Sequence, residues 1–391
     1  MATSPGARGH GVSGVGPRTR EGKTPTLYDV ARLAGVSTAT VSRVLHGHDR
    51  VSEATRERVR EVIDELGYVP DGAAQSLSRR RKEVIGLVTV ARETKQYDVE
   101  SMSLLFWDEV LHGVEARLRD HGWSLLITFL PTEGGGDHLE RLASLSGKVD
   151  GLLIGEGMIP SARLARLAER VPIVVIAGAP DERAVDVVVA DNYSGTAALV
   201  THLVVEHGLR RLYHVDGPES APDARERRRA LEAVLASTPG GTLVGSRRGT
   251  FSVQSGEEAA QELLRDVDRL PDAVVCANDQ MAIGVLQAFA RAGVRVPADV
   301  AVVGFDDIYP GGLSDPPLTT VHQPMRLLGE RACARMLEHL AHPDLRPALE
   351  MLPAELVLRS SCGCEPDAAA RRPVPRVKAK RAGRRPSGVT G

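Results

Sequence analysis

One helical face early in the chain collects Thr38, Ala39, Ser42 and Arg43: short hydroxyls, a methyl and one guanidinium. Such a face suits the edge of a base pair. An Arg can donate two parallel hydrogen bonds to guanine, each such pair giving about 1–3 kcal/mol of discrimination. The hydroxyls of Ser37, Thr40 and Ser42 can reach phosphate or base, while Ala39 offers only a methyl contact. A second set of polar groups comes much later, where Asn278 and Asp306 each stand directly after an apolar run. An amide and a carboxylate there offer hydrogen-bond donors and acceptors beyond the ends of two apolar runs. Asp279 and Asp306-Asp307 are also carboxylates, and their spacing alone leaves glycoside hydrolysis open. The cysteines are Cys276, Cys333, Cys362 and Cys364. Two sit in apolar contexts and read as buried thiols. Cys362-Gly363-Cys364 could bind a metal or pair, but no second pair at ligand spacing completes a zinc site. No metal and no cofactor is therefore expected.

The base-facing side chains need a rigid helix beneath them. Leu27, Val30, Ala31 and Ala34 fall at i, i+3, i+4 and i+7, one apolar face of a short helix. Thr26 can cap it, with Asp29 in the position of a capping box. Gly35 can adopt positive φ, which ends the helix and permits a tight turn. Ser37 starts a second helix whose Val41, Val44 and Leu45 face inward. Two short helices joined by such a turn describe a helix-turn-helix, although any αα-hairpin could use Ala-Gly-Val-Ser the same way. Thr40 can instead serve as a helix cap, and Tyr28 can pack on the surface. Ser52 caps a third helix with Thr55, Val59, Val62, Ile63 and Leu66 on one face, and Gly67 ends it. Tyr68-Val69-Pro70 then leads to a short segment with Leu77 and Arg79-Arg80-Arg81-Lys82.

The composition, 42% hydrophobic and 26% charged over 391 residues, is ordinary for a soluble protein of two or three domains. No apolar run approaches the roughly 18 residues of a membrane helix. The N-terminal stretch, 1–24, is rich in Gly, Arg, Ser and Pro and lacks the apolar core of a signal peptide; it reads as a disordered basic arm. The net charge of −2 hides a division: residues 1–82 carry +5, residues 366–391 carry +7, and the remainder carries −14. Basic ends on an acidic body suit an N-terminal part that meets phosphate while the bulk does not. The basic run inside 363–391 reads as a solvated tail, with a second DNA contact as the alternative. Reduced thiols and the missing leader point to the cytoplasm.

From Val84 on, apolar strands alternate with amphipathic helices. Strand runs cover Val84–Val90, Ser124–Phe129, Gly151–Ile154, Pro172–Ala177, Val187–Ala190, Arg211–Val215, Ala273–Ala277 and Val300–Val303, with helices between them. Continuous apolar strands in that alternation mean parallel sheets covered on both faces. Their number exceeds one comfortable sheet, so two α/β lobes are expected. Ligands in such sheets bind beyond the C-terminal ends of the strands, here in the cleft between the lobes.

Thr26-Leu27-Tyr28-Asp29-Val30-Ala31, Ala34-Gly35-Val36-Ser37, Thr40-Val41-Ser42-Arg43-Val44-Leu45, Val51-Ser52 and Gly67-Tyr68-Val69-Pro70 closely resemble the N-terminal domain of the lactose-repressor (LacI/GalR) family of transcription regulators. The resemblance continues through Val149-Asp150-Gly151, Asp191-Asn192, Pro271-Asp272-Ala273-Val274, Ala277-Asn278-Asp279-Gln280-Met281-Ala282, Val302-Val303-Gly304-Phe305-Asp306-Asp307 and Pro317-Leu318-Thr319-Thr320-Val321. It implies an all-α helix-turn-helix headpiece at 25–70, a hinge at 71–82, and a two-lobed, periplasmic-binding-protein-like α/β effector domain at 83–362. The implied DNA contacts are Thr26, Tyr28, Ser37, Thr38, Ala39, Thr40, Ser42 and Arg43. His46 stands where the family often has Asn. Leu77 resembles the leucine that the family's hinge wedges into the minor groove, where an apolar side chain unstacks a base step; the alternative is a core leucine. Gly72 costs that hinge helix about 1 kcal/mol relative to Ala, so order there is expected only on DNA. In the cleft the resemblance implies effector contacts from Phe106, Trp107, Arg227, Phe251, Asn278 and Asp306. Leu104-Leu105 replaces the family's usual Asn-Pro. Ala177 stands where some sugar-specific relatives have Asp, so the ligand need not be of the lactose type. The alternative for Asn278 is a helix cap, and for Asp306 a turn residue.

The expected function is a ligand-responsive, sequence-specific transcription regulator, usually a repressor. A homodimer would bind a palindromic operator in double-stranded DNA, with a sugar or sugar derivative as effector, and no membrane is involved. The rival is a sugar-binding module or enzyme whose N-terminal helices are incidental. No G-x-S-x-G, Walker loop, H-E-x-x-H or dinucleotide fingerprint supports an enzyme.

Overall fold

The computed structural model describes residues 25–45, 50–69, 81–91, 104–131, 138–155, 159, 161–179 and 184–365. Two compact units divide between Lys82 and Glu83.

The first unit is built from α1 (Leu27–Leu33), α2 (Thr38–Leu45) and α3 (Glu53–Leu66). Asp29 starts α1 by accepting from the Thr26 backbone N–H at 3.0 Å and from its hydroxyl at 2.7 Å. The Thr26 hydroxyl bond, above all, holds the Asp29 carboxyl below the usual carboxylate range. Gly35, at φ +64°, makes the turn that the spacing predicts, and the Val36 N–H returns to the Ala31 carbonyl at 3.0 Å. Ser37 Oγ then caps α2 by accepting from the Thr40 N–H at 3.2 Å. Val30, Ala31, Ala34, Val41, Val44, Val59 and Tyr68 form one buried cluster, so each helix contributes to a single small core.

The second unit contains two parallel sheets. The first has the order β11-β5-β4-β3-β1-β2, from β1 (Val84–Ala91), β2 (Ser124–Pro131), β3 (Gly151–Gly155), β4 (Ile173–Ile176), β5 (Asp186–Ala190) and β11 (Leu349–Leu352). The second has the order β7-β6-β8-β9, from β6 (Arg211–Asp216), β7 (Thr242–Arg248), β8 (Ala273–Cys276) and β9 (Ala301–Val303). Successive residues of a strand face opposite sides. Leu153, Val174 and Ile176 therefore join one core cluster while Leu152, Ile154, Ile173 and Val175 join another. Val274 and Cys276 are likewise parted from Ala273 and Val275 in the second sheet. That double burial is why these strands read as unbroken apolar runs.

The helices between strands are α4 (Leu104–Arg119), α5 (His138–Ser146), α6 (Ser161–Ala168), α7 (Asn192–Val205), α8 (Pro222–Ser237), α9 (Val253–Leu263) and α10 (Asp279–Ala292). After the short α11 (Tyr309–Gly312) and β10 (Thr320–His322), α12 (Met325–Ala341) returns to the first lobe, and β12 (Glu355–Val357) then pairs antiparallel with β10. Leu328, Ala332, Cys333 and Met336 of α12 sit in the same cluster as Val110 and Val114 of α4. The chain thus changes lobe three times: after β5, between β10 and α12, and between β11 and β12. Parallel β5 and β11 both leave the first sheet at their C-terminal ends, so that edge of the sheet faces the second lobe. No helix among the described residues is long and apolar enough to cross a membrane.

Candidate functional site: an exposed helix face and a buried cluster in the cleft

In the first unit, Val41 and Val44 are buried while Ala39 and Arg43 are exposed, and Thr38 and Ser42 lie between them at half-burial. The polar and basic side chains of α2 thus face outward because its valines are held by α1 and α3. Tyr28 is 76% exposed, an aromatic ring presented to solvent and not to the core. Thr26 is exposed beside it. The Thr40 hydroxyl shares a hydrogen bond with Ser37 Oγ at 2.9 Å, so both hydroxyls help to start α2. A helix face with one Arg, small hydroxyls and a methyl fits a major groove. His46 and Leu77 lie outside the described residues.

A buried polar cluster in the second unit is organised around Arg227, on α8 and 3% exposed. Its Nε donates to Asn192 Oδ1 at 2.8 Å, and its terminal nitrogens donate to the Ala277 carbonyl at 2.6 Å and Gln323 Oε1 at 3.4 Å. Its guanidinium carbon lies 3.7 Å from the centre of the Phe305 ring. Asp306 and Asp223 flank it at 3.6 and 3.7 Å. Two carboxylates share one guanidinium here, and both are almost fully removed from water. Burial raises Asp306 to about 7 against the pull of Arg227, with Asp223 adding to the rise. Burial likewise raises Asp223. Burial thus opposes ionisation of both carboxyls, and the Arg227 guanidinium between them offsets the negative charge they carry.

Two partners of Arg227 stand at lobe crossings. Asn192 follows the first crossing and also donates to Asp223 at 3.1 Å. Gln323 lies in the second and donates to Asp306 Oδ1 at 3.2 Å. Arg227, Asp223 and Asp306 thus bind side chains from two of the segments that cross between the lobes.

Asn278 caps α10: its Oδ1 accepts from the Met281 N–H at 3.0 Å, and its Nδ2 donates to the Phe251 carbonyl at 3.3 Å. One Oδ1 lone pair remains for another donor. Phe251 (φ +61°), Asp306 (φ +124°), Asp307 (φ +60°) and Ala177 (φ +58°) are non-glycine residues in left-handed backbone. Each costs of order 1–3 kcal/mol, and such strain concentrates at functional sites. All four follow the C-terminal ends of strands. Phe106 and Trp107, at the start of α4, meet edge to face with ring centres 5.2 Å apart. They pack against the first lobe's core cluster, which also includes Ile308 from the segment after β9. Arg225 is exposed and donates to the Glu219 carbonyl at 3.0 Å, a structural contact.

The carboxylates that left hydrolysis open are otherwise engaged. Asp279 is 0% exposed and accepts from the Thr320 hydroxyl and from the Ile308 N–H. Asp307 is paired with Arg359 and with His322. Neither stands with Asp306 as an acid–base pair across a substrate site.

A model of bacterial regulatory proteins of the lacI family matches residues 26–71, and one of periplasmic binding protein-like domains matches residues 200–362. The HTH-type transcriptional repressor PurR of Photobacterium profundum is 34% identical over 346 residues, 86% of this chain and 98% of that protein. The chain belongs to the LacI family. Like the family's other members, it is a DNA-binding transcription regulator and not an enzyme. Among solved LacI-family structures, the lac repressor dimer bound to operator and the anti-inducer ONPF superposes with a TM-score of 0.77 at 30% identity, covering 87% of this chain and 99% of that one. The complex of the regulator CelR with cellobiose gives a TM-score of 0.62 at 32% identity, covering 86% and 99%.

Sequence reading missed four partners of Arg227. Asp223 was legible as an acidic residue one helical turn before it, and Asn192 lies inside a LacI-family motif. Phe305 stands in another such motif but reads as core. Gln323 gave no signal, because its role depends on where the chain changes lobe. Spacing along the chain gave no metal-ligand pattern either, because only folding brings His202 and His207 to Cys362 and Cys364.

Proposed function

We propose that the chain is a repressor that binds a palindromic operator in double-stranded DNA as a homodimer in the cytoplasm. A neutral sugar or sugar derivative in the interlobe cleft is its effector. The DNA-binding part is 25–70, the hinge 71–82 and the effector domain 83–362. Arg43, with Thr38, Ala39 and Ser42, reads the major groove, and Thr26, Tyr28, Ser37, Thr40 and His46 lie along the same contact. Leu77 keeps the minor-groove role that the family resemblance assigns. The lac repressor dimer on operator supports the DNA and dimer readings.

The observation that carries the effector reading is the buried cluster around Arg227. One guanidinium between two buried carboxyls, with Asn192, Gln323 and Asn278 around it, is rich in donors and acceptors, and its positive charge is already offset. That suits hydroxyl groups and disfavours a phosphate. Phe106, Trp107 and Phe251 supply apolar faces for a sugar ring, and the CelR complex with cellobiose supports the same class. The ligand alters DNA binding by favouring one lobe arrangement, which requires different affinities for two states. The test is calorimetric titration of the purified chain with neutral mono- and disaccharides, phosphosugars and purine bases. Binding of a neutral saccharide that is lost in Arg227→Met is expected. Binding confined to phosphosugars or purines would refute the sugar assignment.

A further inference from the structure

α7 ends beside the last described turn of the chain, and four metal-ligating side chains meet there. His202 lies in the final turn of α7 and His207 just beyond it, while Cys362 closes a short helical turn (Ser360–Cys362) and Cys364 follows Gly363. His202 Nε2 stands 3.1 Å from His207 Nε2, 3.4 Å from Cys364 Sγ and 3.7 Å from Cys362 Sγ. Cys364 Sγ stands 3.3 Å from His207 Nε2. All four ligand atoms fall within 4.8 Å of one another, and no other such group occurs among the described residues.

The four nearest separations, 3.1–3.7 Å, are close to the edges of a zinc tetrahedron, and the two remaining pairs lie within 4.8 Å. With Zn–N near 2.0–2.1 Å and Zn–S near 2.3 Å, the edges are about 3.4 Å between nitrogens, about 3.6 Å between nitrogen and sulfur, and about 3.8 Å between sulfurs. Hydrogen bonding explains the arrangement less well. Two Nε2 atoms and two sulfurs converge on one centre, whereas a neutral imidazole Nε2 can serve one hydrogen at a time. We propose that His202, His207, Cys362 and Cys364 form a structural zinc site that clasps the end of the second lobe to α7. Zn²⁺ would displace the two thiol protons to solvent and leave a Cys₂His₂ site without net charge. Four protein ligands leave no open position, the mark of a structural site rather than a catalytic one. The surroundings fit: the Thr319 hydroxyl donates to Cys362 Sγ at 3.1 Å, orienting it. The clasp fixes the helix whose other end carries Asn192 of the cleft cluster.

The test uses the full chain, reduced and stripped with a chelator, then titrated with Co²⁺ and afterwards Zn²⁺. The expected result is one equivalent of Co²⁺ per chain with the thiolate-to-cobalt charge-transfer band and intense visible bands of a tetrahedral site. Zn²⁺ should abolish both, and Zn²⁺ should raise the melting temperature of the stripped chain. Cys364→Ser and His207→Gln should weaken Co²⁺ binding at least ten-fold and diminish the bands, and a circular-dichroism spectrum would show that each variant is folded. If both variants misfold, mass spectrometry of the native chain decides, with one bound zinc expected. Absence of stoichiometric metal in the native and titrated chain, or an unchanged cobalt spectrum in folded Cys364→Ser, would overturn the proposal.

Discussion

Replacing Asp306 with asparagine should separate the folding cost of the cleft cluster from its use. The Asp306 carboxyl is raised by burial to about 7, against about 3.9 for an unfolded aspartate. Between those values the folded state binds more protons than the unfolded state. A raised carboxyl therefore contributes stability at low pH that is lost as pH rises through this interval, and the loss levels off above about pH 7. Each pH unit inside the interval is worth at most about 1.4 kcal/mol. The asparagine keeps the shape and still accepts from Gln323, but it does not titrate. It also removes a like charge from near Asp223, whose own carboxyl is raised by burial. Relative to wild type, Asp306→Asn should therefore gain on the order of 2–3 kcal/mol between about pH 5 and about pH 7. Urea melts of both proteins, followed by far-ultraviolet circular dichroism across that range, measure the difference. The same variant should bind the effector saccharide at least about ten-fold more weakly, since an NH₂ group replaces one carboxyl oxygen and cannot accept from a sugar hydroxyl. Parallel pH–stability curves for the two proteins would refute the claim that Asp306 is held above its normal range.

Arg43→Ala should relax discrimination at one base position by about 1–3 kcal/mol while leaving phosphate-driven binding in place, as competition with base-substituted duplexes would show. Ser37→Ala should destabilise the headpiece by about 1 kcal/mol through loss of the α2 cap, read as a lower midpoint for its unfolding. A Cβ at Gly329 would collide with the Val110 carbonyl and force α12 from α4, so Gly329→Ala should cost about 1–3 kcal/mol; an unchanged melting temperature would show that the helices part freely.

The headpiece was legible because its determinants are local. Apolar spacing in α1, the glycine turn and the Ser37 cap all lie within a few residues of what they control. The sheet cores were legible for a different reason: strands such as Gly151–Gly155 are buried on both faces and leave unbroken apolar runs. β7 escaped reading because it is an edge strand in which residues alternate between exposed and half-buried. β10 and β12 are three residues each, too short to show a period. α12 does carry an apolar stripe, but nothing in it announces that it packs in the first lobe after a second-lobe segment. The same topology hid the role of Gln323 and the meeting of His202 and His207 with Cys362 and Cys364. Those are properties of chain crossings and of distant ends brought together, which no window along the sequence contains. Asn278 shows the converse: its amide was legible, but its first duty is to cap α10.

If one ligand site in the body sets the affinity of the headpiece for a particular duplex, ligand and duplex must be measured together. The most direct measurement selects the preferred duplex from random DNA, then determines its affinity for the full chain with and without the saccharide found by calorimetry, in wild type and in Asp306→Asn. A palindromic duplex whose affinity shifts at least about ten-fold, the lower part of the usual range of allosteric coupling, is predicted for wild type, with the shift lost in the variant. Equal, salt-sensitive binding to every duplex, or a saccharide that binds tightly and leaves operator affinity unchanged, would contradict the account.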